Sequence, residues 1–130
     1  MADHPNAEVF KRGYAAFQSG DLDTVRALFD DNIVWHIGGH NHNTGDYKGI
    51  DNVLATFLRN AQETNGTFKV ELHDVLGSDA HAVALATVSA EKDGRSITDN
   101  YTHVVHLADC KVTESWIFQD HPDAVDAFWG

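Results

Sequence analysis

The chain is short of cysteine, proline and positive charge. A lone cysteine, Cys110, excludes an internal disulfide framework and fits a reducing compartment, so a cytoplasmic location is expected. The only two prolines, Pro5 and Pro122, lie near the two ends. Nothing between them forces a break, and no repeat or low-complexity tract appears, so residues 1–130 read as a single domain, long enough to bury a real core. Nine Lys and Arg stand against twenty Asp and Glu, for a formal net charge of −11. Such a surface repels polyanions, which excludes nucleic acid and anionic membranes as partners. No apolar run approaches the ~20 residues of a membrane span, and the opening MADHPNAE is polar and acidic rather than a secretory signal.

What is present is strong periodicity. Ala7 to Ser19 carries Phe10, Tyr14 and Phe17 on one helical stripe. Gly20 ends that helix and Asp21 caps a second, short one over Leu22 to Phe29. Asp30-Asp31-Asn32 supplies turn chemistry, and a β-prone strand follows over Asn32 to Ile37. Gly38 to Lys48 is a polar loop, and Gly49 opens a third helix that ends at Asn65-Gly66. From Thr67 the period changes to two. Phe68, Val70 and Leu72 alternate with polar residues, and His81 to Glu91 carries alanines on one parity. Asp93-Gly94 makes a hairpin turn into a long strand over Ser96 to Leu107. Val112 to Gln119 is the last strand, and Asp123 to Trp129 closes as a short helix. The expected class is α+β. Three helices from the N-terminal half pack into a curled, mostly antiparallel sheet, leaving a cone with one open end as the default binding site.

Nine histidines are many for this length. His36 ends its strand beside a glycine pair, where a titratable side chain would meet a pocket mouth. His36, His40 and His42 lie within seven residues, with Asp46, His73 and His81 as further donors. Their spacing matches no strong metal motif, and a polar loop accounts for GGHNHNTGD, so neither a metal nor a cofactor is expected. Gly45 to Gly49 lacks the ending of a phosphate loop, and nothing near Cys110 activates its thiol.

The helix–turn–strand run ending at His36, the helix from Gly49, and the strands EKDGRSITDNYTHVVHL and KVTESWIF resemble the nuclear transport factor 2-like superfamily. Within it, the chain is similar to the ketosteroid isomerase and SnoaL-like polyketide cyclase branch. The resemblance implies a cone-shaped α+β barrel with an apolar pocket, paired as a homodimer through the outer face of the sheet. Carried over residue by residue, His36 falls where the family's general-base aspartate lies, and His103, nine residues after Gly94, falls where its oxyanion-binding acid lies. Gly13 falls on the position of that acid's phenolic partner, with Tyr14 one step away on a different face, so the phenol is expected to be lost.

Imidazole accepts a proton at one nitrogen and donates one at the other, with a pKa close to working pH. His36 as base and His103 as proton donor would therefore suit an isomerase, cyclase or hydrolase step on an apolar carbonyl, polyketide or steroid-like compound. Trp35, Tyr47, Phe57, Tyr101 and Trp116 are the aromatic candidates for binding it. Parity leaves Trp116 either in the pocket or at a dimer interface. Asp99 shares a face with Tyr101 and His103, but as a solvated residue near the strand end. Two other classes share the fold: a ligand carrier without catalysis, and a dimeric interaction module with a filled cone.

Overall fold

The first helix is set by its ends. His4 accepts the Asn6 N–H through Nδ1, Pro5 occupies the first turn, and Gly20 closes the helix in the left-handed region at φ 76°. The computed structural model describes residues 3–130. Its elements run α1 (Pro5–Ser19), α2 (Leu22–Leu28), β1 (Phe29–Ile37), β2 (Gly45–Lys48), α3 (Ile50–Glu63), β3 (Lys69–Gly77), β4 (His81–Lys92), β5 (Arg95–Ala108), β6 (Lys111–Gln119) and α4 (Pro122–Trp129). The six strands form one sheet in the order β2-β1-β6-β5-β4-β3. Every neighbouring pair is antiparallel except β1 and β6, which run parallel. This is the α+β class expected from the sequence.

Two expectations for the first half need correction. Asp30-Asp31-Asn32 does not separate α2 from the strand, because β1 already begins at Phe29. The turn chemistry survives as an irregularity within the strand. Asp30 Oδ1 accepts the Asn32 N–H at 2.8 Å, and the register against β6 jumps between Phe29↔Val112 and Val34↔Glu114. The polar stretch after Ile37 is also not all loop. Gly45–Lys48 returns as β2, pairing Tyr47 with Trp35 and Asp46 with His36.

The helices α1 and α3 lie on one face of the sheet, with α2 tucked beside β1. Close approach is possible because β4 presents Ala82, Ala84 and Ala86 to the interior, each almost wholly buried. The same need for space explains Gly77, where an added Cβ would stand 2.7 Å from the Ala7 backbone nitrogen. A register shift between Leu72 and Asp74 in β3 lets Val70 and Val75 both point inward, five residues apart. Ile33, Val53, Val105 and Val112 anchor the main core. A second cluster of Ala90, Val125, Phe128 and Trp129 seats α4 across the other end of the cone. Among the described residues, no helix is long and apolar enough to cross a membrane.

Candidate functional site

Strand alternation on β5 builds the site. Asp99, Tyr101, His103 and Val105 are buried, whereas the residues between them face the other way. Tyr101 and His103 look into an inner chamber of about 100 Å³, walled by Phe10, Phe17, Phe29, Trp35, Phe57 and Val70 among others. No residue lining this chamber carries a charge. Beyond it lies an outer chamber of about 310 Å³, closed by Val125 and Trp129 of α4 and by the 38–43 segment. The two meet at a waist of Ile37, Asn60, Phe68, Tyr101 and Ile117, which line both.

A hydrogen-bonded chain of four side chains runs along the inner wall. His103 Nε2 meets Ser115 Oγ at 2.6 Å, His103 Nδ1 meets the Tyr14 hydroxyl at 2.5 Å, and that hydroxyl meets the Tyr101 hydroxyl at 2.7 Å. The His103 ring is further clamped edge-on by Phe10 and Trp35, each with centroids 4.9 Å away. Burial of His103, 2% exposed, drives its pKa down to about 3. Burial likewise pushes Tyr101 up to about 12, an effect partly offset by its bond to Tyr14. Tyr14 rises well above the usual phenol value through burial and its proximity to Tyr101. All three groups therefore stay neutral at physiological pH. A neutral imidazole has one donor and one acceptor nitrogen, so the protons can be ordered in two ways. In one, Ser115 donates to Nε2, Nδ1–H donates to Tyr14, Tyr14 donates to Tyr101, and Tyr101 donates into the chamber. In the other, every proton points the opposite way and Tyr101 presents lone pairs.

Tyr14 corrects the sequence reading, in which the phenol was lost. It belongs to the Phe10–Tyr14–Phe17 stripe, and a tyrosine on an inward stripe must find a partner for its hydroxyl. That signal was available. Ser115 was missed because a lone serine on a strand announces nothing; only its place beside His103 gives it a role.

The structure separates His36 from His103. Trp35 points inward against His103, and adjacent strand residues face opposite ways, so His36 emerges on the outer face of the sheet. There its Nδ1 meets Asp46 at 2.6 Å and its Nε2 meets Glu114 at 2.7 Å. The Asp46 bond first, then the Glu114 bond, raise its pKa. The expectation that both histidines share one pocket is corrected accordingly. Trp116 stacks on His36 with centroids 5.3 Å apart and edges against His106, which puts it on the outer face as well. Of the other aromatic candidates, Trp35, Phe57 and Tyr101 line the inner chamber. Tyr47 does not; its hydroxyl donates to the Asn43 carbonyl at 2.8 Å.

His36, His40 and His42 do not converge. His42 contacts Glu63 at 2.7 Å, and the His40 backbone N–H donates to Asp126. Asp99 corrects another expectation, because it is buried rather than solvated. Its two oxygens accept the His121 backbone N–H at 3.0 Å and face His121 Nδ1 at 2.7 Å, fixing the entry to α4. Asp99, Asp120 and His121 bring donor atoms within 4.8 Å of one another, the one such cluster among the described residues.

Comparison with known proteins fits this architecture. The structure of Bal32a, from a soil-derived mobile gene cassette, is 37% identical, covers 97% of each chain and superposes with a TM-score of 0.94. The uncharacterized protein Rv0034 of Mycobacterium tuberculosis is 28% identical over 99% of both chains. A Jannaschia sp. CCS1 protein, provisionally assigned as a SnoaL-like polyketide cyclase, shares the fold at a TM-score of 0.78 and 18% identity, covering 97% of this chain and 92% of its own. The SnoaL-like domain profile matches residues 10–115, and the chain therefore belongs to the SnoaL-like family.

Proposed function

We propose that the chain is a cofactor-independent isomerase or cyclase that holds a flat, apolar carbonyl compound in the inner chamber and stabilises its enolate. The observation that carries this reading is the Ser115–His103–Tyr14–Tyr101 chain, a hydrogen-bonded cluster in a wall whose other lining residues are apolar except Thr56 and Asn60. With its protons ordered toward the chamber, Tyr101 donates to a carbonyl oxygen, and the bond strengthens as negative charge develops there. Tyr14 and His103 support Tyr101 from behind, so His103 acts as proton donor through its neighbours. A strong base is not among the lining groups, because a histidine with a pKa of about 3 takes up a proton poorly. The reading therefore favours a substrate whose C–H is already acidic, such as one between two carbonyls, as in polyketide-like compounds, so that solvent water takes the carbon-bound proton as the enolate forms and returns one when the product is released.

The test is hydrogen–deuterium exchange at the central carbon of a β-diketone, followed by NMR. Exchange should rise above the buffer rate, and Tyr101→Phe should lower the protein-catalysed part by about a hundredfold, the scale of one lost oxyanion donor. Exchange at the buffer rate with the diketone bound would instead support the second reading, a non-catalytic carrier. The absence of a carboxylate from the chamber lining favours that alternative.

The same proposal includes a homodimer and a cytoplasmic location. The outer face supports the first. Val83, Val104, Trp116 and His36 form a row across four paired strands, beside exposed Leu85 (38%) and Phe118 (58%). The single cysteine supports the second.

A further inference from the structure

The inner chamber is small. A cavity of about 150 Å³ accepts a benzene molecule, and this one is about 100 Å³. An aromatic ring seated there fills it, so any larger ligand must pass the waist and extend into the outer chamber of about 310 Å³. The waist and the outer wall carry an unusual pair of atoms. Asn60 Oδ1 and Gln119 Oε1 are shut off from solvent and have no hydrogen-bond partner. Asn60 lines both chambers and Gln119 lines the outer one. The third such atom among the described residues, Arg59 Nε, belongs to a side chain that lines neither.

An unpaired buried acceptor is costly, and folded proteins satisfy nearly all of them. In both amides the solvent-excluded atom without a partner is the carbonyl oxygen. The final torsion of each amide is soft, so either oxygen can turn to a partner in the adjoining chamber. Resting on the reading of the chamber as a small-molecule site, we infer that Asn60 and Gln119 recognise a hydrogen-bond donor on the distal half of the ligand. The ligand is then a two-part aromatic compound. Its oxygen on the inner ring meets Tyr101, and a hydroxyl or N–H beyond the waist meets the amide oxygens. A methyl ether at that distal position would leave both acceptors unpaired.

Three biphenyls test this: 4-hydroxybiphenyl, 4,4′-dihydroxybiphenyl and 4-hydroxy-4′-methoxybiphenyl, titrated by isothermal calorimetry. The diol should bind about tenfold tighter than the methyl ether. Asn60→Leu, or Gln119→Met if the first variant fails to fold, should reduce that ratio to near one. Equal affinity of diol and ether in the wild type would overturn the inference while leaving the chamber as a binding site. Discrimination that survives in both variants would also overturn it. Failure of all three compounds to bind would overturn the inference together with the proposed function.

Discussion

Acidification from pH 7 to pH 5 is expected to weaken the folded protein through one residue, His103. Its pKa falls from an ordinary 6.5 to about 3 because the imidazole is wholly buried. A group depressed in the folded state contributes its full stability above its unfolded pKa and loses it as pH falls toward the folded value. Between pH 6.5 and 3 the unfolded chain binds a proton that the folded chain refuses. The slope there is about 1.4 kcal/mol per pH unit, so at pH 5 the loss is about 2 kcal/mol. His36 and His121 work the other way. Asp46 and Glu114 raise the first, and Asp99 raises the second, so both favour the folded state below pH 6.5 and lose that contribution as pH rises. They sit near solvent, which screens their share. The clean quantity is therefore the difference between wild type and His103→Gln, a variant that keeps hydrogen-bonding capacity but does not titrate. Urea unfolding at the two pH values measures it. With a slope of about 2 kcal/mol per molar urea, the wild-type midpoint should fall about 1 M further than that of the variant. Equal falls in both proteins would refute the assignment of acid sensitivity to this imidazole.

Three further outcomes can be checked directly. Gly77→Ala should destabilise by about 1–3 kcal/mol in a thermal melt, because the new methyl meets the Ala7 backbone nitrogen at 2.7 Å and its Cβ at 3.0 Å. Tyr14→Phe should cost about 1–3 kcal/mol in chemical denaturation, since it strips a partner from buried His103 and Tyr101 alike. The wild type should sediment as a dimer, and the double variant Leu85→Arg, Trp116→Arg as a folded monomer, because both side chains lie on the outer face of the sheet.

Much of the architecture was legible because it is written in periodicity. The stripe Phe10–Tyr14–Phe17 and the alanines of β4 each have one physical use, and both are found where that use requires. What failed was local and depended on partners distant in the chain. Asp30-Asp31-Asn32 has turn chemistry, but pairing with β6 draws it into a strand and leaves only a bulge. Gly45–Lys48 is polar, and it becomes a strand because β1 offers it a free edge. The site divides in the same way. The resemblance pointed to His103 by a count from Gly94 along one long strand of uninterrupted parity, and that residue lines the chamber. His36 was misplaced because nothing local distinguishes which of Trp35 and His36 faces inward; the packing of Trp35 on His103 and Phe57 decides it.

The two proton orders of the Ser115–His103–Tyr14–Tyr101 chain have a consequence for what the chamber tolerates. A ketone offers an acceptor to Tyr101, and its enol offers a donor. Reversing four protons along fixed oxygen and nitrogen positions converts one complement into the other without moving a heavy atom. Under the proposed function, the wall would then hold both tautomers of a compound in one pose. That even-handedness is what interconversion demands: a site that greatly preferred either form would bind it and stop.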